Sequence, residues 1–155
     1  NQLVADDLKT ILLAAKPEIV YTHNLADKHF THVGVAVHVI QTIRELPPEA
    51  RPKKLYGCEV WRGLDWMTDE EKVIFNTSGQ QDLQLKLLEV FESQVAGGKR
   101  YDMATVGRRL ANATYFASHD TDQVSGMTIG MDLTPLIENP NLEINTFIQP
   151  LLFKL

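Results

Sequence analysis

Several features are scarce in this chain of 155 residues, and each shortage excludes a class of protein. It has one cysteine, Cys58, so an internal disulfide cannot form and a disulfide scaffold is excluded. A membrane-spanning helix needs about 18 consecutive apolar residues, and no apolar run in this chain is that long. The net charge of −5 leaves no positive field to attract phosphate, which argues against nucleic acid as a partner. These features predict a globular protein of the cytoplasm without a membrane span.

Three motifs of enzyme chemistry are also missing. There is no G-x-S-x-G elbow to present a nucleophilic serine. Neither G-x-x-x-x-G-K-[ST] nor G-x-G-x-x-G, the loops that hold nucleotide phosphates, occurs in the chain. These absences argue against a serine hydrolase of that type and against a nucleotide-binding enzyme.

The spacing of apolar residues predicts helices that alternate with strands. Helices are expected over 3–16, 32–46, 80–95 and 102–117, and strands over 19–22, 54–61, 73–75 and 142–153. The first strand is expected to be buried, Thr31 to cap the second helix, and 118–141 to be loop. The alternation predicts an α/β fold with a Rossmann-like, mostly parallel sheet and flanking helices. Because only three or four strands follow, where a mean sheet has roughly five to six, the sheet is expected to be incomplete, with its first strands missing.

The most informative stretch is PEIVYTHNLADKHFTH, residues 17–32. A β-branched and aromatic run ends there in a polar loop with four candidate groups, namely His23, Asp27, His29 and His32. In an open α/β sheet, ligands bind at the loop after a strand's carboxyl end. Imidazole and carboxylate groups suit a metal site or proton-transfer chemistry, so the loop is a candidate for either. The alternative is that each histidine is an ordinary hydrogen-bonding group at the surface.

Other polar groups are interpreted mainly as structural. His38 lies among apolar residues of a predicted helix and Cys58 in an apolar strand, so both are expected to pack in the interior. His119, Asp120 and Asp122 form a second polar cluster after the last long helix. A solvated loop is the simpler interpretation of that cluster, and a contribution to a site is the alternative.

The stretch 17–32, with D-x-H-x-x-H between a strand and a helix, resembles the second motif of the PIG-L/LmbE family. Members of that family are zinc-dependent de-N-acetylases of N-acetylglucosaminyl lipids and thiol-glycosides. Two later stretches, 86–94 (KLLEVFESQ) and 108–116 (RRLANATYF), are similar to helices of the family. The resemblance therefore extends from about Leu8 to about Phe116.

The resemblance implies roles for residues of the loop. His32 would be a zinc ligand, and His29 would be the catalytic residue that assists the developing oxyanion or protonates the leaving amine. Asp27 and Thr31 would contact these two histidines on the side away from the zinc ion and orient their rings. The family has H-P-D-H at this position, whereas this chain has Phe30 and Thr31 between the two histidines.

The resemblance also implies that part of the site lies elsewhere. The first motif of the family, His-Pro-Asp-Asp, supplies the other zinc ligands and the general base, and it does not occur in these 155 residues. Residues 1–155 are therefore expected to be the C-terminal part of a single PIG-L/LmbE-like domain. Zn²⁺ is expected only in the intact protein, and the chain alone is expected to be inactive.

Three functional hypotheses follow. The first is a metal-dependent hydrolase that deacetylates an N-acetylated amino sugar or a related small amide. The second is a non-catalytic carbohydrate-binding or regulatory module on the same fold, and the third is an unrelated α/β domain. A homodimer through an exposed sheet edge is expected if strands are missing.

Overall fold

The structure is a computed structural model that describes residues 2–59, 62–116 and 119–154. The strands are β1 (Ile19–His23), β2 (Lys54–Cys58), β3 (Lys72–Asn76) and β4 (Met127–Asp132). The helices are α1 (Gln2–Ala15), α2 (Phe30–Glu45), α3 (Gln81–Glu89), α4 (Glu92–Val95), α5 (Tyr101–Tyr115), α6 (Thr134–Glu138) and α7 (Ile144–Leu152). No helix within the described ranges is long and apolar enough to cross a membrane.

The four strands form one mixed sheet in the order β1-β2-β4-β3. Strands β1 and β2 are parallel, with Ile19 opposite Lys54 and His23 opposite Cys58. Strands β2 and β4 are antiparallel, with Gly57 opposite Met131. The predicted α/β class with flanking helices is confirmed. The expectation of parallel strands holds for β1 and β2 but not for β2 and β4, because apolar spacing reveals a strand and not its direction.

The chain divides into two compact units. The first comprises Asn1–Glu59, Leu64–Val73 and Gly130–Leu155, and the second comprises Val60–Gly63 and Ile74–Ile129. In the first unit, α2 packs against α1, β1 and α6. Its buried apolar residues form a stripe with helical spacing, at Ala36, Val39, Ile40 and Ile43. Burying each of these larger aliphatic side chains contributes about 1.5–3 kcal/mol, so this stripe fixes α2 behind the sheet.

In the second unit, α5 packs against α3 and α4. A chain of hydrogen bonds joins these elements: Arg109 donates to the side-chain oxygen Oε1 of Gln84 at 2.7 Å, and the side-chain nitrogen Nε2 of Gln84 donates to the Thr77 backbone carbonyl at 2.9 Å. Buried Asn112 donates to the Met127 carbonyl at 3.2 Å. Few apolar residues of this unit are buried. Hydrogen bonds between polar side chains and the backbone therefore hold much of the unit together.

Strand β1 lies at the edge of the sheet rather than in its interior. Ile19 is 44% exposed and Tyr21 is 58% exposed, so the prediction of a buried strand is wrong. The prediction came from the β-branched and aromatic run, which is the composition of a central strand. Strand β1 has this composition but lies at the edge, with no neighbour on one side within the described sheet. Composition alone therefore does not distinguish a central strand from an edge strand.

The helix predicted over 80–95 is two helices. Helix α3 ends at Glu89, and Phe91 has φ −92° and ψ 69°, which takes the backbone out of the helical region before α4 begins. No glycine or proline marks this break in the sequence. The apolar side chains of Leu83, Leu87, Val90 and Phe91 in this segment are each more than half exposed.

The last third of the chain differs most from the predictions. Residues 118–141 were expected to be loop, but 127–132 form β4 and 134–138 form α6. Pro135 does not prevent α6, because it occupies the first turn, where its missing N–H is not needed. The predicted terminal strand is helix α7 instead. Its apolar residues have helical spacing, at 144, 147, 148, 151 and 152, and that spacing outweighs Pro150.

The remaining boundaries agree closely with the predictions. The strand expected over 54–61 is observed as β2 up to Cys58, and residues 60–61 lie outside the described residues. The helix expected over 102–117 is α5 up to Tyr115, and residue 117 also lies outside them. The strand expected over 73–75 is β3.

Candidate metal centre

The loop after β1 starts at a fully buried asparagine. The Asn24 backbone N–H donates to the Cys58 carbonyl at 3.0 Å, which extends the β1–β2 pairing by one residue. Its side-chain oxygen accepts the Ala26 N–H at 2.9 Å in an Asx turn, which directs the chain away from the sheet. Sequence reasoning missed Asn24, although an asparagine directly after a strand is a common signal for such a turn.

A second turn of the same kind starts α2. One carboxylate oxygen of Asp27, Oδ1, accepts the His29 N–H at 2.9 Å. His29 is the N-cap residue, with φ −97° and ψ 115°, and its carbonyl accepts the N–H groups of His32 and Val33. The prediction of Thr31 as the N-cap is therefore wrong. Thr31 lies exposed in the first turn of α2, because the Asp27 turn starts the helix two residues earlier.

The other oxygen of Asp27, Oδ2, lies 2.9 Å from Nδ1 of His32. The Asp27 side chain is 4% exposed and that of His32 is 23% exposed. Since an ionised carboxylate only accepts hydrogen bonds, His32 carries a proton on Nδ1, and its neutral form has a free lone pair on Nε2. A carboxylate behind a histidine in this way fixes the tautomer that metal sites use.

Asp27 stays ionised in this position. Burial raises the pKa of its carboxyl, but the hydrogen bonds from the His29 N–H and the His32 ring outweigh burial. The charges of the two imidazoles act in the same direction, so the pKa of Asp27 lies below its usual value. The acceptor that orients His32 is therefore present at neutral pH.

His23 completes the cluster from the end of β1. Its ring stacks on the ring of His32, with centroids 4.0 Å apart and planes 3° from parallel. Burial lowers the pKa of His23, and the neighbouring His32 lowers it further, against an opposing effect of Asp27. His23 is therefore neutral at neutral pH and keeps a free ring nitrogen.

The donor set suits zinc in its chemistry. Among the described residues, His23, Asp27 and His32 form a group of metal-donor side chains, with one donor atom from each lying within 4.8 Å of the others. Two imidazoles and a carboxylate are donors that Zn²⁺ binds in catalytic sites. His32 offers Nε2 outward while Asp27 holds its other nitrogen, so His32 is the residue here best prepared to hold the ion.

Of the other two predicted site residues, His29 lies next to this group and Thr31 lies outside it. The His29 ring is exposed, and its centroid is 4.9 Å from that of His32 at an angle of 58°. Phe30 is 93% exposed beside it. His29 is therefore close enough to His32 to act on the same bound molecule, whereas the Thr31 side chain is not part of the cluster.

The polar residues that the sequence predicts to be structural lie outside the group. Cys58 is half-buried opposite His23, and burial raises the pKa of its thiol to about 11, so it is an unreactive thiol at neutral pH. His38 is half-buried on α2. In the second unit, Asp122 accepts the Thr114 hydroxyl at 2.8 Å, and His119 and Asp120 are exposed.

Comparison with known proteins found no match for the chain, either to a family model or to a curated protein.

Proposed function

We propose that this chain carries part of the zinc site of a PIG-L/LmbE-like hydrolase, which removes the acetyl group from an N-acetylated amino sugar or a related small amide. The observation that supports this most directly is the bond of Asp27 to Nδ1 of His32 at the carboxyl end of β1. That bond leaves Nε2 of His32 free for the ion, in a loop position where open α/β sheets bind ligands.

In this proposal, zinc supplies Lewis-acid polarisation of the amide carbonyl when it is bound. His32 holds the ion through Nε2, and Asp27 keeps the His32 ring in the required tautomer and orientation. His29 is exposed next to His32, and it donates a hydrogen bond to the oxyanion or a proton to the leaving amine. Its position at the N-cap of α2 also directs backbone N–H groups toward an anionic group of a substrate.

In this proposal, the remaining ligands and the general base lie outside these 155 residues. The sheet is then the C-terminal part of a Rossmann-like sheet, whose further strands pair with the outer side of β1. The position of β1 at the edge of the described sheet supports this part of the proposal. When the chain is alone, we expect the same edge to pair with a second copy and form a homodimer.

A carbohydrate-binding module without catalytic activity is the second candidate, and Phe30 is the observation that favours it. An exposed aromatic ring beside polar groups stacks well on the apolar face of a sugar. Phe30 also stands where the family motif has a different residue. Sugar binding without acetate release would support this candidate.

The first test is the zinc affinity of the full-length protein in which this chain occurs, measured by competition with a chromogenic chelator. We expect the wild-type protein to bind one zinc ion and His32→Ala to lose at least tenfold in affinity. His119→Ala is the matched control, because His119 is exposed and lies outside the cluster. Equal zinc affinity of wild type and His32→Ala would rule out the proposed metal role.

The second test is acetate release from an N-acetylglucosamine glycoside by the full-length protein in which this chain occurs. We expect His29→Ala to lower kcat by about 10²–10⁴-fold while the bound zinc is retained. Zinc binding without any acetate release from such substrates would contradict the deacetylase and leave the binding module.

A further inference from the structure

We propose that His23 is a positioning residue for His32, and that it acts through the stack of the two rings rather than as a metal ligand. This inference rests on the proposed role of His32 in metal binding. Asp27 fixes one nitrogen of His32, but a single hydrogen bond leaves the ring free to rock about it. The flat face of His23 removes that freedom.

The stacking geometry excludes shared coordination in this arrangement. The lone pair of an imidazole nitrogen lies in the plane of its ring, so an ion bound by two histidines must lie close to both planes. The rings of His23 and His32 are 3° from parallel with centroids 4.0 Å apart, so their planes do not meet near the cluster. An ion in the plane of His32 is therefore out of reach of the in-plane lone pairs of His23.

His23 is well placed to act as a fixed surface. It is the last residue of β1, opposite Cys58 in the parallel register, and Asn24 continues the pairing directly after it. The backbone of Gly57 approaches so closely that an added Cβ would lie 3.1 Å from the His23 carbonyl oxygen. The sheet thus holds His23 on one side of His32, while Asp27 holds His32 from the loop.

The two contacts restrain different motions of the same ring. The hydrogen bond of Asp27 sets the direction of Nδ1, and the stack on His23 sets the plane of the ring. Together they leave Nε2 pointing in one direction. We therefore expect His23 to affect metal affinity through its shape and not through its nitrogen atoms.

The test compares His23→Phe with His23→Leu in the full-length protein in which this chain occurs. Phenylalanine keeps a flat ring but has no nitrogen, whereas leucine keeps volume but has no flat face. We expect His23→Phe to bind zinc within about threefold of wild type and His23→Leu to bind it about 10–100-fold more weakly. Equal losses in both variants would make His23 a ligand, and no loss in either would remove its role; both results overturn the proposal.

A metal-free measurement separates this inference from the proposed function. The Nδ1–H proton of His32 gives an NMR signal when it is held by Asp27, and its exchange with water reports how tightly the ring is held. We expect slow exchange in wild type and His23→Phe, and at least tenfold faster exchange in His23→Leu. A full-length wild-type protein without zinc affinity would defeat the proposed function, while this exchange comparison would still decide whether His23 positions His32.

Thermal unfolding of each variant provides the control for folding. Should His23→Leu fail to fold, His23→Asn replaces it, because asparagine is polar and compact but cannot stack as a ring. Unchanged Nδ1–H exchange in a folded variant that cannot stack would contradict the inference.

Discussion

At the scale of single residues, Asp27 connects the start of α2 to the chemistry of the loop. One of its oxygens accepts the His29 N–H and starts the helix, and the other orients His32. A single carboxylate therefore couples the folding of a helix end to the placement of a metal-binding nitrogen. The pattern D-x-H-x-x-H contains this information, because an aspartate two residues before an N-cap position forms an Asx turn. The His23–His32 stack has no comparable sequence pattern, since it depends on where the sheet places the end of β1.

Gly57 provides a test of how tightly the sheet holds the loop. A Cβ at this position would lie 2.9 Å from Cδ1 of Leu133 and 3.0 Å from Cα of Asn24. Because backbone atoms of the loop cannot move away easily, we expect Gly57→Ala to lower the free energy of unfolding by about 1–3 kcal/mol. Urea denaturation measures this change.

Gly34 is the matched control on α2, where an added Cβ would meet nothing within 4 Å. Alanine favours a helix over glycine, so Gly34→Ala should raise the free energy of unfolding by roughly 0.5–1 kcal/mol. A Gly57→Ala variant as stable as wild type would contradict the close contact between β2 and the loop.

At the scale of elements, the first half of the chain follows the sequence patterns, and the second half, apart from α5, departs from them. Helices α1 and α2 and strands β1 to β3 appear where apolar spacing predicts them, because each has a regular period bounded by polar, proline or loop segments. The break between α3 and α4 has no glycine or proline to announce it. Strand β4 was missed because Gly130 interrupts its apolar pattern in a segment rich in turn residues.

The edge strand β1 determines how the isolated chain should associate. Ile19 is apolar and exposed there, and a lysine at an edge disfavours pairing with another strand. We expect Ile19→Lys to weaken the proposed dimer by at least tenfold, as measured by sedimentation velocity over a range of concentrations. Leu3→Lys is the control, because Leu3 is exposed and apolar but lies on α1. Equal weakening by both variants, or a wild-type chain that is monomeric at all concentrations, would contradict pairing through β1.

At the scale of the whole molecule, acidic groups set the response of stability to pH. The chain has a net charge of −5, and hydrogen bonds from partners lower the pKa of several carboxylates. The most strongly affected is Asp102 at the start of α5. Arg100 donates to both of its oxygens, at 3.0 and 2.7 Å, and this holds the pKa of Asp102 at about 2.

Because this pKa is depressed in the folded chain, the unfolded chain binds the proton at a higher pH. The stabilisation by the Arg100–Asp102 pair is therefore complete above about pH 4 and is lost as the pH falls toward about 2. We expect Asp102→Asn to be less stable than wild type at about pH 6 and to match wild type near pH 2. Thermal unfolding across this range measures the difference, with exposed Asp120→Asn as the charge-matched control. If the stability difference between Asp102→Asn and wild type does not shrink on acidification, the Arg100–Asp102 pair does not stabilise the fold through the charge of Asp102.

The order of strands also has a consequence for how the protein is made. During synthesis, β1, α2 and β2 leave the ribosome before β4, so the loop with Asp27 and His32 can be assembled before β4 is made. The strand that covers the other side of β2 comes much later, since Gly57 pairs with Met131, about 74 residues further along. At roughly 5–20 residues per second, that delay is about 4–15 seconds. During this interval, the nascent chain exposes one edge of β2, and a chaperone that shields unpaired strands would act on this protein in that interval.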